Sequence, residues 1–203
     1  MDVLFISPGN HNKIYQDLSK DYSAIEPPTW ALLLAESCRS VGFKAAIVDA
    51  AAERLSDEQV VERIEDTNPR LLCFVVYGQN VNAGTTSMAG ATSLSEFIKE
   101  SGIKTPIAYI GSHVQALPYE ALSKEKSIDI VFANEGVYAL RNLLNEPINL
   151  NNLDHIRGIG FRKNGKAHLN PPERLVPQDR MDIDLPGYAW DLLPFKEKPF
   201  DLY

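Results

Sequence analysis

Cysteine is scarce in this sequence, with Cys38 and Cys73 as the only two among 203 residues. Two thiols so far apart cannot supply the four ligands of a structural zinc site or the three cysteines of a cluster site. Both fall in apolar stretches, where a free cysteine usually acts as a small core residue. We therefore expect two inert thiols and no metal ligands from this chain.

A concentrated basic patch and a long apolar run are absent as well. The formal net charge is -7 and charges of both signs are interspersed, whereas phosphate-backbone binding needs a clustered basic footprint. No apolar run is long enough to span a bilayer. Met1 and Asp2 lead straight into an apolar strand, without the basic segment and cleavage site of a secretory signal. We expect no nucleic-acid partner, no membrane span and a cytoplasmic location.

What the sequence does contain is a set of short apolar runs that alternate with helical patterns. Turn residues bound each run, as is typical of strands buried on both faces of a parallel sheet. The predicted strands are residues 3–6, 45–50, 71–77, 106–110 and 129–133. The predicted helices are residues 29–41, 56–66, a stretch ending near 101, 118–123 and 137–145. Ser56 and Gln59 form a capping-box pattern at the start of the second helix.

This alternation predicts an α/β fold, a flavodoxin-like (Rossmann-like), doubly wound sheet of five parallel strands. Right-handed crossovers place helices on both faces of such a sheet. They also bring every strand-to-helix loop to one edge, which is where these folds bind ligands. The carboxyl edge of the sheet is therefore the candidate site.

The pattern changes after Asn145. Residues 159–169 predict a hairpin that turns at Asn164-Gly165, the kind of dipeptide favoured in two-residue hairpin turns. We therefore expect a Rossmann-like domain over residues 1–147 and a hairpin followed by a connector over residues 148–203.

The connector is rich in proline from Pro171 to the end of the sequence. It shows neither helical nor strand period, which is typical of an extended segment between domains. It also carries aromatic side chains, among them Tyr188, Trp190, Phe195 and Phe200. These side chains need a surface to pack on, and we expect a further domain of a longer protein to supply it.

Glycine and polar residues follow four of the predicted strands. The loops are Ser7-Pro8-Gly9-Asn10, Tyr77-Gly78-Gln79-Asn80, Gly111-Ser112-His113 and Asn134-Glu135-Gly136. Glycine allows the backbone to approach a flat or phosphate-bearing ligand closely. Glycine and asparagine also simply end strands, so both interpretations stand for any one loop. Four such loops on one edge favour a ligand site.

The two common nucleotide-binding patterns are missing. A nicotinamide cofactor requires G-x-G-x-x-G after the first strand, opening directly into a helix. Here Ser7-Pro8-Gly9-Asn10 is followed by a long polar stretch, and no Walker-type phosphate loop occurs. Dinucleotide binding is therefore disfavoured.

Three segments together resemble a known family. They are Pro27-Pro28-Thr29-Trp30, Gly111-Ser112-His113 followed by Leu117-Pro118, and Asp129-Ile130-Val131 leading to Asn134-Glu135-Gly136. The combination resembles the N-terminal cobalamin-binding domain of cobalamin-dependent radical-SAM proteins, over roughly residues 1 to 145. The segment from Tyr77 to Met88 is similar to that family's third-strand loop, and the tail resembles the connector before the radical-SAM barrel.

The chain departs from the family pattern at three points. Ser112 stands where a second glycine is usual, and Asn134 replaces the first glycine of G-E-G. The carrier signature D-x-H-x-x-G is absent, since His11 has neither the aspartate nor the glycine at the required spacing. As in many radical-SAM relatives, this absence implies a base-off cofactor without a histidine ligand on cobalt.

The resemblance implies that the chain binds cobalamin through its strand-end loops. The implied cofactor-binding residues are Ser7, Pro8, Gly9, Tyr77, Gly78, Gln79, Asn80, Gly111, Ser112, His113, Asn134, Glu135 and Gly136. His113 fits either a loop histidine that bonds backbone or a corrin contact, and Glu135 fits a loop anchor better than a catalytic acid. Small residues from Gly84 to Ala91 either leave room for the nucleotide tail or let a helix pack closely on the sheet. No catalytic residue is expected in this chain.

For the intact protein the resemblance implies a radical-SAM catalytic domain, C-terminal in the same polypeptide. That domain would hold a [4Fe–4S] cluster and S-adenosylmethionine, and the usual outcome is methyl transfer or related radical chemistry. This chain has no C-x-x-x-C-x-x-C, so it cannot bind that cluster by itself. It is interpreted as the corrinoid-binding module of such an enzyme.

Two other functions remain open for this fold. A non-catalytic regulatory module of the receiver type needs an acidic cluster at the end of the first strand, but that strand ends in Ser7 and Asp49 ends the second. The nucleotide-sugar-binding half of a glycosyltransferase can use the same fold. Binding of a sugar nucleotide without corrinoid binding would identify the latter.

Overall fold

The computed structural model describes residues 1–8, 26–77 and 81–194, with the backbone alone over residues 81–86. Predicted site residues and aromatic residues that lie outside this part of the chain are Gly9, Gly78, Gln79, Asn80, Phe195 and Phe200.

The described residues form a seven-stranded sheet. Its strands are β1 (Val3–Ser7), β2 (Ala45–Asp49), β3 (Leu71–Val75), β4 (Ile107–Ile110), β5 (Ile130–Phe132), β6 (Ile159–Lys163) and β7 (Lys166–Leu169). The spatial order is β2-β1-β3-β4-β5-β6-β7. The first five strands run parallel, in a doubly wound order that reverses at β1. The predicted α/β fold with a parallel sheet is confirmed.

Helices connect the strands. They are α1 (Thr29–Arg39), α2 (Asp57–Thr67), α3 (Val81–Glu100), α4 (Ser112–Ala116), α5 (Pro118–Lys124), α6 (Val137–Leu144) and α7 (Met181–Asp184). The predicted capping box starts α2, because the Gln59 N–H donates to Ser56 Oγ while Gln59 Oε1 accepts from the Ser56 N–H. None of the described helices is long and apolar enough to cross a membrane.

The central strands are apolar throughout because both faces of the sheet are covered. In β1, Val3 and Phe5 belong to the core on the side of α1 and α6. Leu4 and Ile6 belong to the core on the side of α2 and α3. Successive side chains of a strand point to opposite faces, so a continuous apolar run fills two core layers at once.

Two segments predicted as loops are helical in the structure. Residues Val81 to Ala91, predicted to lead into a helix, form the first half of α3. Ser112 and His113, predicted in a strand-end loop, belong to α4, which begins directly after Gly111. Glycine, serine, threonine, asparagine and histidine have lower helix propensity than alanine or leucine, so the local sequence did not indicate these helix starts. The periodicity of apolar residues along the sequence therefore predicted both helices to start later than they do.

The predicted hairpin is present, and it extends the sheet. Asn164 and Gly165 adopt φ of 51° and 76°, the positive values that a type I′ turn requires. β6 pairs antiparallel with β5, so that Val131 lies opposite Gly160. The five predicted parallel strands are confirmed, and the two hairpin strands bring the sheet to seven, a continuation that the prediction of a five-stranded sheet did not include. The hairpin covers an edge of β5 whose backbone groups would otherwise lack partners.

The proline-rich segment packs on the domain itself. It contains α7 and two turns of 3-10 helix, Gln178–Arg180 and Trp190–Leu192. Ala189 is fully buried, and its N–H donates to the carbonyl oxygen of Leu32 in α1 at 3.3 Å. The expectation of a segment without helical turns is wrong for this stretch. Its packing surface comes largely from α1 and α6 of the same chain.

A buried ion pair holds α7 against α6. Arg141 Nη1 lies 2.8 Å from Asp184 Oδ1, and only 9% and 6% of the two side chains are exposed. The Tyr138 hydroxyl donates to the same carboxylate at 2.6 Å, and Arg141 Nη2 donates to the carbonyl oxygen of Ser37 at 2.9 Å. Both buried charges are thus paired and hydrogen-bonded. Residues on either side of position 147 therefore share one core.

Candidate functional site

The carboxyl ends of four parallel strands meet at one edge of the sheet. β1 ends at Ser7, β3 leads to Tyr77, β4 to Gly111 and β5 to Asn134. A cavity of about 310 Å³ lies at this edge. Its lining residues are Thr29, Trp30, Tyr77, Gln115 and Glu135. Ligand pockets typically begin at roughly 300 Å³, so the cavity admits a small ligand or part of a larger one.

Trp30 and Tyr77 form an aromatic wall of this cavity. Their rings meet edge to face, with centroids 6.0 Å apart and an interplanar angle of 64°. The Trp30 Nε1–H donates to the carbonyl oxygen of Glu135 at 3.2 Å. Pro28 precedes the first turn of α1, and this start of the helix brings Trp30 to the strand ends. Trp30 belongs to one of the segments that carry the family resemblance, but it was not among the predicted site residues.

Gln115 joins two of the predicted loops, although it was not among the predicted site residues. Its Nε2 donates to the Tyr77 hydroxyl and to the carbonyl oxygen of Asn134, both at 2.7 Å. The Gln115 N–H donates to the carbonyl oxygen of Gly111 at 3.1 Å, one helical turn earlier. The signal that could have found it is helical spacing, because a helix starting after Gly111 returns residue 115 to the strand ends.

The Tyr77 hydroxyl is a neutral polar group at this edge. Burial raises the pKa of Tyr77 to about 12, although the hydrogen bond from Gln115 opposes the shift. The phenol therefore keeps its proton at neutral pH and can both donate and accept a hydrogen bond.

Gly111 and Gly136 are required by the packing of the strand ends. A Cβ atom on Gly111 would lie 2.1 Å from the carbonyl oxygen of Val76. A Cβ atom on Gly136 would lie 2.4 Å from Ile110 Cδ1, and Gly136 has a φ of +80° in the left-handed region. Larger residues would disturb the fold at either position. Contact between these glycines and a cofactor stays a prediction.

Ser112 has a buried hydroxyl without a hydrogen-bond partner among the described residues. Buried hydroxyls are normally paired. Contact between the Ser112 hydroxyl and a cofactor stays a prediction. His113 follows in α4, and its carbonyl oxygen accepts from the Leu117 N–H at 2.9 Å. A role for the His113 imidazole at the site stays a prediction.

Asn134 and Glu135 tie the loop after β5 to the C-terminal segment. Asn134 Nδ2 donates to the carbonyl oxygen of Glu173 at 3.0 Å. A carboxylate oxygen of Glu135 accepts from the Val176 N–H. This contact agrees with the interpretation of Glu135 as a loop anchor that accepts a backbone N–H bond. The segment that these two residues hold, residues 173–176, was not predicted from the sequence.

Ser7 and Pro8 lie at the same edge, outside the lining of the cavity. The Ser7 carbonyl oxygen accepts from the Ala50 N–H at 3.0 Å, which joins the end of β1 to the chain after β2. Of the predicted site residues, the structure therefore brings Tyr77 and Glu135 together at the cavity. The remaining described ones stand at the neighbouring strand ends.

The described part of the small-residue stretch packs closely on the sheet. Ala91 is fully buried, and Met88 joins the same core cluster. In this cluster Phe74 and Tyr109 stack with centroids 4.9 Å apart, and the Tyr109 hydroxyl donates to Ser95 Oγ at 2.9 Å. Side chains therefore fill the space between α3 and the sheet at this level. Close packing is the favoured interpretation for residues 88–91.

Over the described ranges, no group of three or more His, Cys, Asp and Glu side chains could hold a metal ion. Cys38 and Cys73 are free thiols in the core. Burial raises the pKa of the Cys38 thiol to about 12 and also raises the pKa of Cys73. Thiols that stay protonated are poor nucleophiles and ligands, which agrees with the expectation of inert core residues.

Residues 18–144 match the B12 binding domain family. The chain belongs to this family. The match includes strands β2 to β5 and helices α1 to α6, and with them every residue that lines the cavity. The chain is therefore a cobalamin-binding domain, and the family match favours this function over the receiver-type module and the nucleotide-sugar alternative.

Two curated proteins match almost the whole cobalamin-binding domain. The uncharacterized methyltransferase PH0819 of Pyrococcus horikoshii is 24% identical over 201 residues, which cover 99% of this chain and 40% of that protein. The anaerobic magnesium-protoporphyrin IX monomethyl ester cyclase of Synechocystis sp. is 25% identical over 197 residues, covering 97% and 37%. The chain thus spans about two fifths of the length of these relatives.

A solved structure shares the fold. OxsB, a cobalamin-dependent S-adenosylmethionine radical enzyme solved with aqua-cobalamin and S-adenosylmethionine bound, superimposes with a TM-score of 0.69 at 15% identity. The alignment covers 94% of this chain and 24% of OxsB. The resemblance to the cobalamin-binding domains of radical-SAM proteins is confirmed.

Proposed function

We propose that this domain holds its corrinoid at the carboxyl edge of the sheet, against the cavity lined by Trp30 and Tyr77. The observation that carries the proposal is the position of this cavity, at the strand ends where open α/β sheets bind their ligands. A corrinoid is larger than the cavity, so only part of the cofactor would enter it.

The residues at this edge fit the chemistry of a corrinoid. Such a cofactor is a broad disc with amide arms, which needs an apolar surface and a few placed hydrogen-bonding groups. Trp30 and Tyr77 offer the surface, and the buried Ser112 hydroxyl lacks a partner within the described residues. The proposal retains the other predicted contacts, which are Ser7, Pro8, Gly9, Gly78, Gln79, Asn80, Gly111, His113, Asn134, Glu135 and Gly136.

Bound cobalamin would supply the cobalt chemistry, while the protein sets its orientation and surroundings. The residues of this chain bind the cofactor, orient it and limit its contact with water. None of them is assigned a chemical step.

We propose further that the domain serves a cobalamin-dependent radical-SAM enzyme that carries out methyl transfer or related radical chemistry. One relative is named a methyltransferase, and OxsB binds cobalamin together with S-adenosylmethionine. The chain spans no more than 40% of either curated relative, which leaves room for a catalytic domain in a protein of that size. The [4Fe–4S] cluster and S-adenosylmethionine would bind there, C-terminal to residues 148–203.

The C-terminal segment offers a surface to such a domain. Five of its large apolar side chains are between 44% and 60% exposed: Leu175, Met181, Ile183, Tyr188 and Trp190. A concentration of exposed apolar groups marks an interaction surface more often than a solvated one. This exposure supports the assignment of residues 148–203 as the part that contacts and connects to the catalytic domain.

A visible absorption titration with hydroxocobalamin and methylcobalamin tests the site. We expect saturable binding to the 203-residue chain, with a base-off spectrum. Trp30→Ala removes half of the aromatic wall, and we expect it to weaken binding roughly 10-fold or more, as loss of a central aromatic contact usually does. Trp190→Ala, in the C-terminal segment, is the matched control and should bind as the wild type does.

Equal dissociation constants for the wild type and Trp30→Ala would place the corrinoid elsewhere on the domain. Binding of UDP-glucose in the absence of any corrinoid binding would contradict the proposal and support the glycosyltransferase alternative.

A further inference from the structure

The side-chain amide of Gln115 has its orientation determined by its two partners. Nε2 lies 2.7 Å from the carbonyl oxygen of Asn134, and a carbonyl oxygen can only accept a hydrogen bond. The nitrogen rather than the oxygen of the amide must therefore face Asn134. The same nitrogen lies 2.7 Å from the Tyr77 hydroxyl, so both N–H groups of Gln115 are engaged.

This arrangement determines the direction of the hydrogen bond at Tyr77. Because Gln115 donates to the phenol oxygen, the phenol proton must point to a different acceptor. Among the described residues the Tyr77 hydroxyl donates no hydrogen bond, and the side chain lines the cavity. The edge-to-face contact with Trp30 holds the ring in place without using the hydroxyl. The proton is thus available to a bound molecule.

We propose that Gln115 is a positioning residue that directs the Tyr77 hydroxyl proton into the cavity, where Tyr77 donates a hydrogen bond to an amide carbonyl oxygen on the rim of the corrinoid. The inference rests on the proposed function. A neutral phenol suits this partner because an amide carbonyl is a neutral acceptor. The pKa of Tyr77, raised by burial, keeps the donor protonated at neutral pH.

The first test compares Tyr77→Phe with Tyr119→Phe in corrinoid titrations of the 203-residue chain. Tyr77→Phe removes the hydroxyl and keeps the ring against Trp30, so we expect the dissociation constant for hydroxocobalamin to rise roughly 3- to 10-fold. Tyr119, which is 57% exposed in α5, is the matched control, and its variant should bind as the wild type does.

The second test reverses the hydrogen bond. In Gln115→Glu a carboxylate replaces the donor, so the phenol proton turns to the carboxylate and is lost to the ligand. We expect this variant to bind at least as weakly as Tyr77→Phe. The double variant should be no weaker than Gln115→Glu alone, because both changes remove the same donor.

A third measurement keeps every contact of the fold. A ring-fluorinated tyrosine at position 77 makes the phenol a stronger donor and a weaker acceptor, and we expect tighter corrinoid binding. A purely structural role for Tyr77 would leave the affinity unchanged.

Each outcome bears on one proposal or the other. If the wild type binds corrinoid and the dissociation constant of Tyr77→Phe lies within twofold of the wild-type value, this inference alone is overturned. Weaker corrinoid binding by the protein with fluorinated Tyr77 also overturns the inference, because the hydroxyl would then accept a hydrogen bond from the corrinoid. A wild type without corrinoid binding overturns the proposed function, and the inference falls with it.

Discussion

At the scale of single residues, the polar groups of this domain are largely engaged with one another. Glu135 accepts from the Trp30 indole through its backbone and from the Val176 N–H through its carboxylate. The Gln115 amide donates one hydrogen bond to the Tyr77 hydroxyl and one to the carbonyl oxygen of Asn134. Such paired groups hold a site in a given shape. Within the described residues, Ser112 Oγ has no hydrogen-bond partner, and the Tyr77 hydroxyl donates no hydrogen bond.

The ion pair between Arg141 and Asp184 allows a prediction on stability. In Asp184→Asn, Arg141 keeps its charge in a buried position without a counter-charge, and we expect a loss of about 3 kcal/mol in the free energy of unfolding. Chemical denaturation measures it. Asp191→Asn is the matched control, because Asp191 pairs with Arg39 at the surface with 60% of its side chain exposed, and it should cost at most about 1 kcal/mol. Equal losses would contradict the prediction.

The same variant has a pH signature. The hydrogen bond from Tyr138, then those from Arg180 and Arg141, hold the pKa of Asp184 well below its ordinary value, against the opposing effect of burial. With a depressed folded-state pKa, this stabilisation is complete above the unfolded-state pKa of about 3.9 and is lost as the pH falls below it. The wild type should therefore lose more stability than Asp184→Asn on acidification from about pH 5 to about pH 3. Parallel losses would show that another carboxyl group is responsible.

At the scale of elements, the loop after β5 connects three parts of the fold. It receives Trp30 from α1, Gln115 from α4 and the backbone of residues 173–176 from the C-terminal segment. α7 is held separately, by Arg141 and Tyr138 of α6. The C-terminal segment is therefore attached at two places, one beside the cavity and one at α6.

Removal of the attachment beside the cavity has a local effect that hydrogen exchange can measure. Glu135→Ala leaves the Val176 N–H without its acceptor, so we expect this amide to exchange roughly 10-fold faster, as the loss of one hydrogen bond predicts. Glu135→Gln keeps an oxygen at the same position and should exchange at nearly the wild-type rate. If the alanine variant keeps full protection, another group holds the segment.

At the scale of the whole molecule, one continuous sheet and one core join the cobalamin-binding fold to the hairpin and the C-terminal segment. β6 continues the sheet beyond β5, and Ala189 and Leu193 belong to the same core cluster as Leu32 and Leu140. We therefore expect the chain to unfold as one unit, and we expect a ligand at the strand ends to stabilise all of it.

Cobalamin binding should raise the thermal stability of the chain. At a free concentration of about 100 times its dissociation constant, a ligand that binds only the folded state adds about 2.7 kcal/mol. For a domain of this size we expect the Tm to rise by roughly 5–10 °C, measured by circular dichroism with hydroxocobalamin. UDP-glucose at the same concentration is the control and should leave the Tm unchanged. An equal shift with both ligands would contradict a specific corrinoid site.

Much of the fold could be predicted because strand and helix periods are local properties. The buried run of β3, the capping box at Ser56 and the turn at Asn164-Gly165 each carry their signal within a few residues. The start of α3 was not predictable in this way, because its glycine, serine and threonine residues have weak helix propensity. The edge of the sheet that the hairpin joins was not predictable either, because strand pairing depends on which edge of the folded sheet is free.

The sequence by itself determined the order of strands and helices, the prediction of a ligand site at the carboxyl edge, and the resemblance that the family match confirmed, because these follow from local pattern and topology. Tertiary structure alone decided that Gln115 donates to Tyr77, that Glu135 accepts from Val176 and that Asp184 pairs with Arg141. The partners in these contacts are 38, 41 and 43 residues apart along the chain. Only the packing of helices on the sheet brings such distant groups within hydrogen-bond distance, and no local pattern records it.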